Sequence, residues 1–233
     1  MDKVYQASLL QALAKGYYDG VISVKELKSF SDTAIGAFEG ADGELIMVDG
    51  ICYKAKVDGI IDVAKDSELI PFCNATKFVK NNTFIISCNN ITDLKNKLNI
   101  LNKNYLNNFI IIKINCLFKQ ITVRSLPKQN KPYKPLDYIV NNEQKVYSYD
   151  NMNGTIIIFK APSFMNNLNT TDYHMHFISS DFKYGGHVLD ISFDNIEIEV
   201  SVKNKYELIL PTSNEFNNTN YSLDSEIIKK IEE

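Results

Sequence analysis

The stretch Tyr173-His174-Met175-His176-Phe177-Ile178, followed by Asp181-Phe182-Lys183-Tyr184-Gly185-Gly186 and then by His187-Val188-Leu189, decides how this chain is read. Residues 173–178 alternate as a strand does, so His174 and His176 project from one face and Met175 from the other. The segment 181–186 predicts a hairpin connection, with the glycines supplying positive φ where the chain reverses. His187 then opens the returning strand, where it lies beside the first two imidazoles.

These three are the only histidines in the chain. A single histidine is more often a hydrogen-bonded core or surface residue than a ligand. An H-x-H pair joined by a third histidine after a Gly-Gly turn is a different pattern, and it predicts a metal site. Three neutral imidazoles suit Zn²⁺ and other divalent first-row ions, and three protein ligands leave positions open, as in catalytic rather than structural sites.

Outward from this window the chain is rich in strands. After Lys145 the pattern gives Val146–Tyr149, Thr155–Lys160, His187–Phe193, Ile196–Val202 and Glu207–Leu210, with a charged helix over Ser222–Glu233. Before it, Glu44–Val48, Tyr53–Val57, Thr83–Ser87, Phe109–Phe118 and Gln120–Ser125 read as strands. Helices are predicted over Ser8–Tyr18, ending near Gly16, and over Ile91–Leu106, where Leu94, Leu98 and Leu101 share a face. Ser23-Val24-Lys25-Glu26 matches a capping box opening a short helix between them. Pro127, Pro132 and Pro135 interrupt the chain and divide it into halves, roughly 1–126 and 127–233. The expected fold is α+β: two intertwined mixed-sheet halves with few helices, forming a single unit whose strand-rich C-terminal half carries the metal site.

Composition excludes several classes. With 233 residues, 45% hydrophobic and 23% charged, the chain can bury a sizeable core and is not a disordered sequence. A net charge of −3 gives no electrostatic reason to expect nucleic acid as a partner. Apolar runs such as Phe109–Ile112 fall far short of the roughly 20 residues needed to cross a bilayer, so no membrane association is expected. The N-terminal residues lack the pattern of a secretion leader, and a cytoplasmic location is the expectation. Cys52, Cys73, Cys88 and Cys116 have no paired spacing and read as buried, reduced thiols.

Three segments together resemble the α-acetolactate decarboxylase family. They are Ile35-Gly36-Ala37-Phe38 running into Asp42-Gly43-Glu44-Leu45-Ile46; Val123-Arg124-Ser125-Leu126-Pro127-Lys128-Gln129 through Pro132-Tyr133; and the histidine window. The resemblance covers essentially the whole chain. It implies conversion of 2-acetolactate, a 2-hydroxy-3-keto acid, to acetoin and carbon dioxide by a homodimer with zinc on three histidines. It assigns His174, His176 and His187 as ligands and places Glu44 and Arg124 beside the metal, with a C-terminal glutamate, Glu233 or Glu232, reaching the same site. Where family members often carry Thr, this chain has Ala37, and any hydroxyl contact from that position is absent.

The implied chemistry needs no organic cofactor, because the substrate's ketone is its own electron sink. Arg124 is the chain's only arginine, and its planar, permanently charged fork suits a carboxylate or an enediolate. Glu44 and the C-terminal glutamate are both candidate proton donors. Two other readings start from the same histidines. A cupin-like metal oxygenase would need a carboxylate ligand a few residues on, where only Asp181 is available. A non-enzymatic PPC-type regulatory domain would be about half this length, without the Asp-Gly-Glu and Arg-x-x-Pro-Lys-Gln segments.

Overall fold

The structure is a computed structural model and describes residues 3–222. Its strands are β1 (Val4–Ala7), β2 (Ile22–Ser23), β3 (Thr33–Ala37), β4 (Glu44–Val48), β5 (Ile51–Ala55), β6 (Ile61–Val63), β7 (Leu69–Ile70), β8 (Phe72–Thr76), β9 (Asn82–Cys88), β10 (Phe109–Ser125), β11 (Lys145–Lys160), β12 (His174–Ser179), β13 (Gly185–Lys203) and β14 (Tyr206–Ile209). The helices are α1 (Leu10–Ala14), α2 (Val24–Phe30), α3 (Ile91–Leu101), α4 (Leu136–Asn142) and α5 (Asn214–Asn218), with short 3₁₀ turns between some elements. Apart from Ser222, the predicted helix over Ser222–Glu233, with Glu232 and Glu233, lies outside the described residues.

Two sheets carry the fold, as the α+β reading expects. The first has the order β14-β1-β8-β3-β4-β5-β6, antiparallel except for the parallel pair β1–β14. The second has the order β10-β11-β12-β13-β9, and β10 also pairs with β13. That extra pairing closes β10, β11, β12 and β13 on one another where they overlap, while residues 145–153 of β11 pair with β10 and not with β12. The chain passes from one sheet to the other between Thr76 and Asn82, not at the prolines, and β10 belongs wholly to the second sheet. The halves are nonetheless interwoven, because β14 returns from the C-terminal side to lie against β1.

Local sequence explains several boundaries. α2 opens on the expected capping box: the Glu26 amide donates to Ser23 Oγ, and Glu26 Oε2 accepts from the Ser23 amide. α1 starts at Leu10, later than predicted, and ends near Gly16 as expected, where Gly16 turns the chain at φ 90° against the Lys134 carbonyl. The strands predicted over 109–118 and 120–125 are one continuous strand. The pairs predicted over 146–160 and 187–202 are likewise continuous, each passing through an asparagine at positive φ, Asn151 and Asn195.

The interior of the second sheet is apolar. Phe118 sits edge-on to Phe177 and Phe193, and α3 adds Leu94 and Leu98. Val4 and Ile35 of the first sheet join Ile111, Ile157 and Phe159 of the second in one buried cluster. That shared core brings β4 against β12, where the histidines lie. Cys52, Cys73 and Cys88 are buried free thiols, and Cys116 is half-buried.

Candidate metal centre

Strand alternation puts His174 and His176 on one side of β12, and both are buried. His187 of β13 is directly opposite His176, and Arg124 of β10 is directly opposite His187. One row across three neighbouring strands therefore holds Arg124, His187 and His176, with His174 two residues along. A β-bulge sets this register. Thr122 pairs with Asp190 but Val123 pairs with Val188, which leaves Leu189 as the extra residue. An unbroken ladder would face Arg124 with Val188 and turn His187 to the opposite side.

The two glycines before His187 work differently from the sequence expectation. The reversal is made by Phe182, at φ 56°, in a turn pinned by Ser179: its Oγ accepts from the Tyr184 amide and donates to Asp181. Gly185 and Gly186 belong to β13, where they permit close approach. A Cβ on Gly185 would lie 2.5 Å from the Phe177 carbonyl oxygen, and one on Gly186 would lie 2.4 Å from that of Arg124.

The donor atoms of His174, His176 and His187 lie within 4.8 Å of one another. His176 Nδ1 is 2.9 Å from the Leu45 carbonyl oxygen. A carbonyl can only accept, so Nδ1 carries the proton and Nε2 presents its lone pair. His174 Nε2 stands 3.0 Å from that atom. Burial drives the His174 pKa down to about 3, and the Arg124 charge adds to the effect. His176 is held well below its ordinary value by burial first, then by His174 and Arg124, with the Leu45 hydrogen bond opposing. Both imidazoles are neutral at pH 7, the state a metal requires. Two facing nitrogen lone pairs repel unless a proton or a cation lies between them. The donor set thus fits a divalent ion.

β4 supplies both the Leu45 carbonyl and Glu44, whose Oε2 is 3.6 Å from His176 Nε2. Glu44, Arg124, His174 and His187 line a cavity of about 40 Å³, closed on its apolar side by Leu13, Phe72, Leu126 and Leu136. Ala37 also lines it and brings no hydroxyl. Five residues singled out in the sequence therefore meet at one place. Asp181 stays away in its turn, bonded to Ser179 and paired with Lys183, and does not join the histidines as a cupin-type carboxylate ligand would. The Leu45 carbonyl and the wall from Leu13 and Leu136 had no sequence signal, because a backbone acceptor has no residue type and a leucine at helical spacing reads as ordinary core.

The model of the family described as alpha-acetolactate decarboxylase matches residues 4–223 of the chain. The chain belongs to the alpha-acetolactate decarboxylase family. A relative from Methanosarcina mazei is 34% identical over 233 residues, covering 99% of this chain and 80% of its own length. One from Bacillus subtilis is 33% identical over 221 residues, covering 94% and 86%. Among solved structures, the alpha-acetolactate decarboxylase of Bacillus subtilis strain 168 superposes with a TM-score of 0.94 at 32% identity, covering 99% of each chain. Membership in this decarboxylase family thus rests on the whole chain, whereas the cupin-like and PPC-type readings rested on the histidine window alone.

Proposed function

We propose that the chain decarboxylates 2-acetolactate to acetoin and carbon dioxide at the cavity between Glu44, Arg124 and the three histidines. As a member of this family it is a carboxy-lyase. The observation that carries the reading is the convergence of three buried imidazoles, two of them held neutral, beside the chain's only arginine and a buried glutamate.

His174, His176 and His187 would hold the cation, Zn²⁺ or another divalent first-row ion. When bound, such an ion supplies Lewis-acid stabilisation of the negative charge that develops on the substrate oxygens. Arg124 binds the substrate carboxylate or the enediolate with its planar fork. As the bond to the carboxyl carbon breaks, its electron pair moves toward the neighbouring ketone, whose oxygen takes the charge, and carbon dioxide leaves. The resulting enediolate takes one proton on the carbon that lost carbon dioxide. Glu44, buried beside His176, is a candidate donor in reach of the described site. Glu233, or Glu232, is the second candidate. The apolar wall from Leu13, Phe72 and Leu136 faces the substrate's methyl groups and excludes water. The homodimer and the cytoplasmic location belong to the same proposal. Among the described residues, no helix is long and apolar enough to cross a membrane.

Metal analysis of the purified protein, paired with an acetoin colour assay before and after chelation, tests the reading. The expected result is about one divalent ion per chain, with activity lost on chelation and restored by added Zn²⁺. Fully active metal-free protein, or no acetoin from 2-acetolactate, overturns it.

A further inference from the structure

The turn that delivers Glu44 adopts a costly conformation. Between β3 and β4, Gly40, Ala41 and Gly43 have φ of 72°, 52° and 83°. Ala41 carries a Cβ, so its left-handed backbone is disfavoured and persists only where the surroundings over-determine it. On the side of the arginine strand, the Gln129 amide donates to the Gly40 carbonyl at 2.6 Å, and the Gly40 amide donates to the Tyr18 carbonyl at 3.0 Å. On the other side stands Lys54. Its Nζ lies 3.0 Å from Asp42 Oδ2 and 2.5 Å from Glu68 Oε1, and 4.6 Å from the centre of the Phe38 ring.

Lys54 cannot act on substrate directly. Glu44 pairs with Ala55 across β4 and β5, and Leu45 pairs with Lys54. Neighbouring positions on a strand face opposite ways, so Lys54 projects from the face of the sheet away from Glu44, and it does not line the cavity. Its side chain reaches the turn through Asp42, two residues before Glu44, and lies over the Phe38 ring at the turn's other end.

We propose that Lys54 is a positioning residue: its pair with Asp42 clamps the Phe38–Gly43 turn and so fixes Glu44 against His176. The inference rests on the reading of Glu44 and the three histidines as the reacting site. Lys54 is 9% exposed. Burial by itself lowers its pKa, and the Glu68 and Asp42 carboxylates more than reverse that, so the clamp is charged at pH 7. Glu68 anchors the lysine, and Asp42 transmits the restraint to the turn.

The test compares K54M, K54R and D42N with the wild-type enzyme, measuring kcat, KM and bound metal. K54M keeps the methylene stem and loses the charge. It is expected to retain wild-type metal content, to lose about tenfold or more in kcat and to change KM by less than about threefold, the signature of a misplaced group in the transition state. K54R is expected to recover most of the rate, and D42N to reproduce K54M. Wild-type kcat in K54M and D42N overturns the proposal, as does a lowered melting temperature with kcat unchanged. A parallel loss of metal overturns it too, since Lys54 would then support the scaffold in general. If K54M does not fold, D42N decides alone, because Lys54 keeps Glu68 in that variant. Absence of acetoin from the wild-type enzyme sinks the decarboxylase reading and this one with it, whereas wild-type rates in variants of an active enzyme sink this one only.

Discussion

Arg124 and His187 stand directly opposite each other on β10 and β13, two residues past the bulge at Leu189. The slip of one residue puts the guanidinium and the imidazole on a common face, beside His176 on the next strand. Position on a strand fixes facing, so a one-residue shift of His187 against Arg124 decides whether the site exists. Inserting one alanine between His187 and Val188 would put the new residue opposite Arg124, and is expected to turn His187 away and to cut bound metal to about a tenth or less. Leu189→Ala keeps the extra residue and is expected to keep the metal. Metal analysis of both proteins checks the difference, and full occupancy in the insertion variant would remove the register from the account.

Arg124→Lys keeps the charge and loses the planar fork. A compact ammonium cannot make the same paired contacts with a carboxylate or an enediolate. We expect kcat to fall by about 10²-fold with bound metal unchanged, in keeping with the loss of one aimed donor set. Steady-state kinetics with metal content measured in parallel provides the check, and wild-type turnover would exclude Arg124 from the chemistry.

The arginine and the histidines were legible for simple reasons. His174 and His176 announce a shared face by their spacing, and Arg124 is a lone arginine among many lysines. Glu44 was legible only through the resemblance, since a glutamate opening a strand after a Gly turn is an ordinary surface pattern. The bulge was not legible, because Leu189 looks like any alternating strand residue. The first sheet was half hidden for another reason. β1 and β8 bury Gln6 and Asn74, whose polarity breaks the strand pattern. Each is satisfied at a distance: Gln6 donates to the Leu168 carbonyl and accepts from Tyr206, and Asn74 exchanges amide hydrogen bonds with Asn169. Partners that far away in sequence leave no local trace.

Glu44→Gln separates geometry from proton transfer, because the two side chains are nearly isosteric. If Glu44 is the donor, kcat falls by about 10²–10⁴-fold while the metal stays bound. Undiminished rate and unchanged enantiomeric composition of the acetoin would pass the role to the C-terminal glutamate, and Glu233→Gln, with Glu232→Gln as its control, would then carry the loss.

The core under the site sets a stability expectation. Phe118 is fully buried and meets Phe177 and Phe193 edge-on, with ring centres 5.6 and 6.0 Å away. Phe118→Ala removes that contact and leaves a cavity beneath β12, at a cost of about 3–5 kcal/mol. Urea denaturation is expected to show a lowered midpoint with an unchanged slope. An effect below about 1 kcal/mol would mean the surrounding rings collapse into the space.

Metal-free protein should depend on pH in a direction set by its histidines. His174 titrates near 3 in the folded chain because burial and Arg124 oppose its charge, and His176 is also held well below its ordinary value. In the unfolded chain both titrate near about 6.5. Between those values the unfolded state binds more protons than the folded one, so stability rises with pH and falls as the solution is acidified. The contribution is complete above about pH 6.5 and drains away toward pH 3, each such histidine adding up to about 1.4 kcal/mol per pH unit within its window. Chelator-treated protein is therefore expected to show a falling urea midpoint from pH 7.5 to pH 5. Replacing His174 with Gln, which cannot take up a proton in either state, is expected to flatten that slope. A midpoint equally steep in the His174→Gln protein would mean that other groups carry the acid sensitivity.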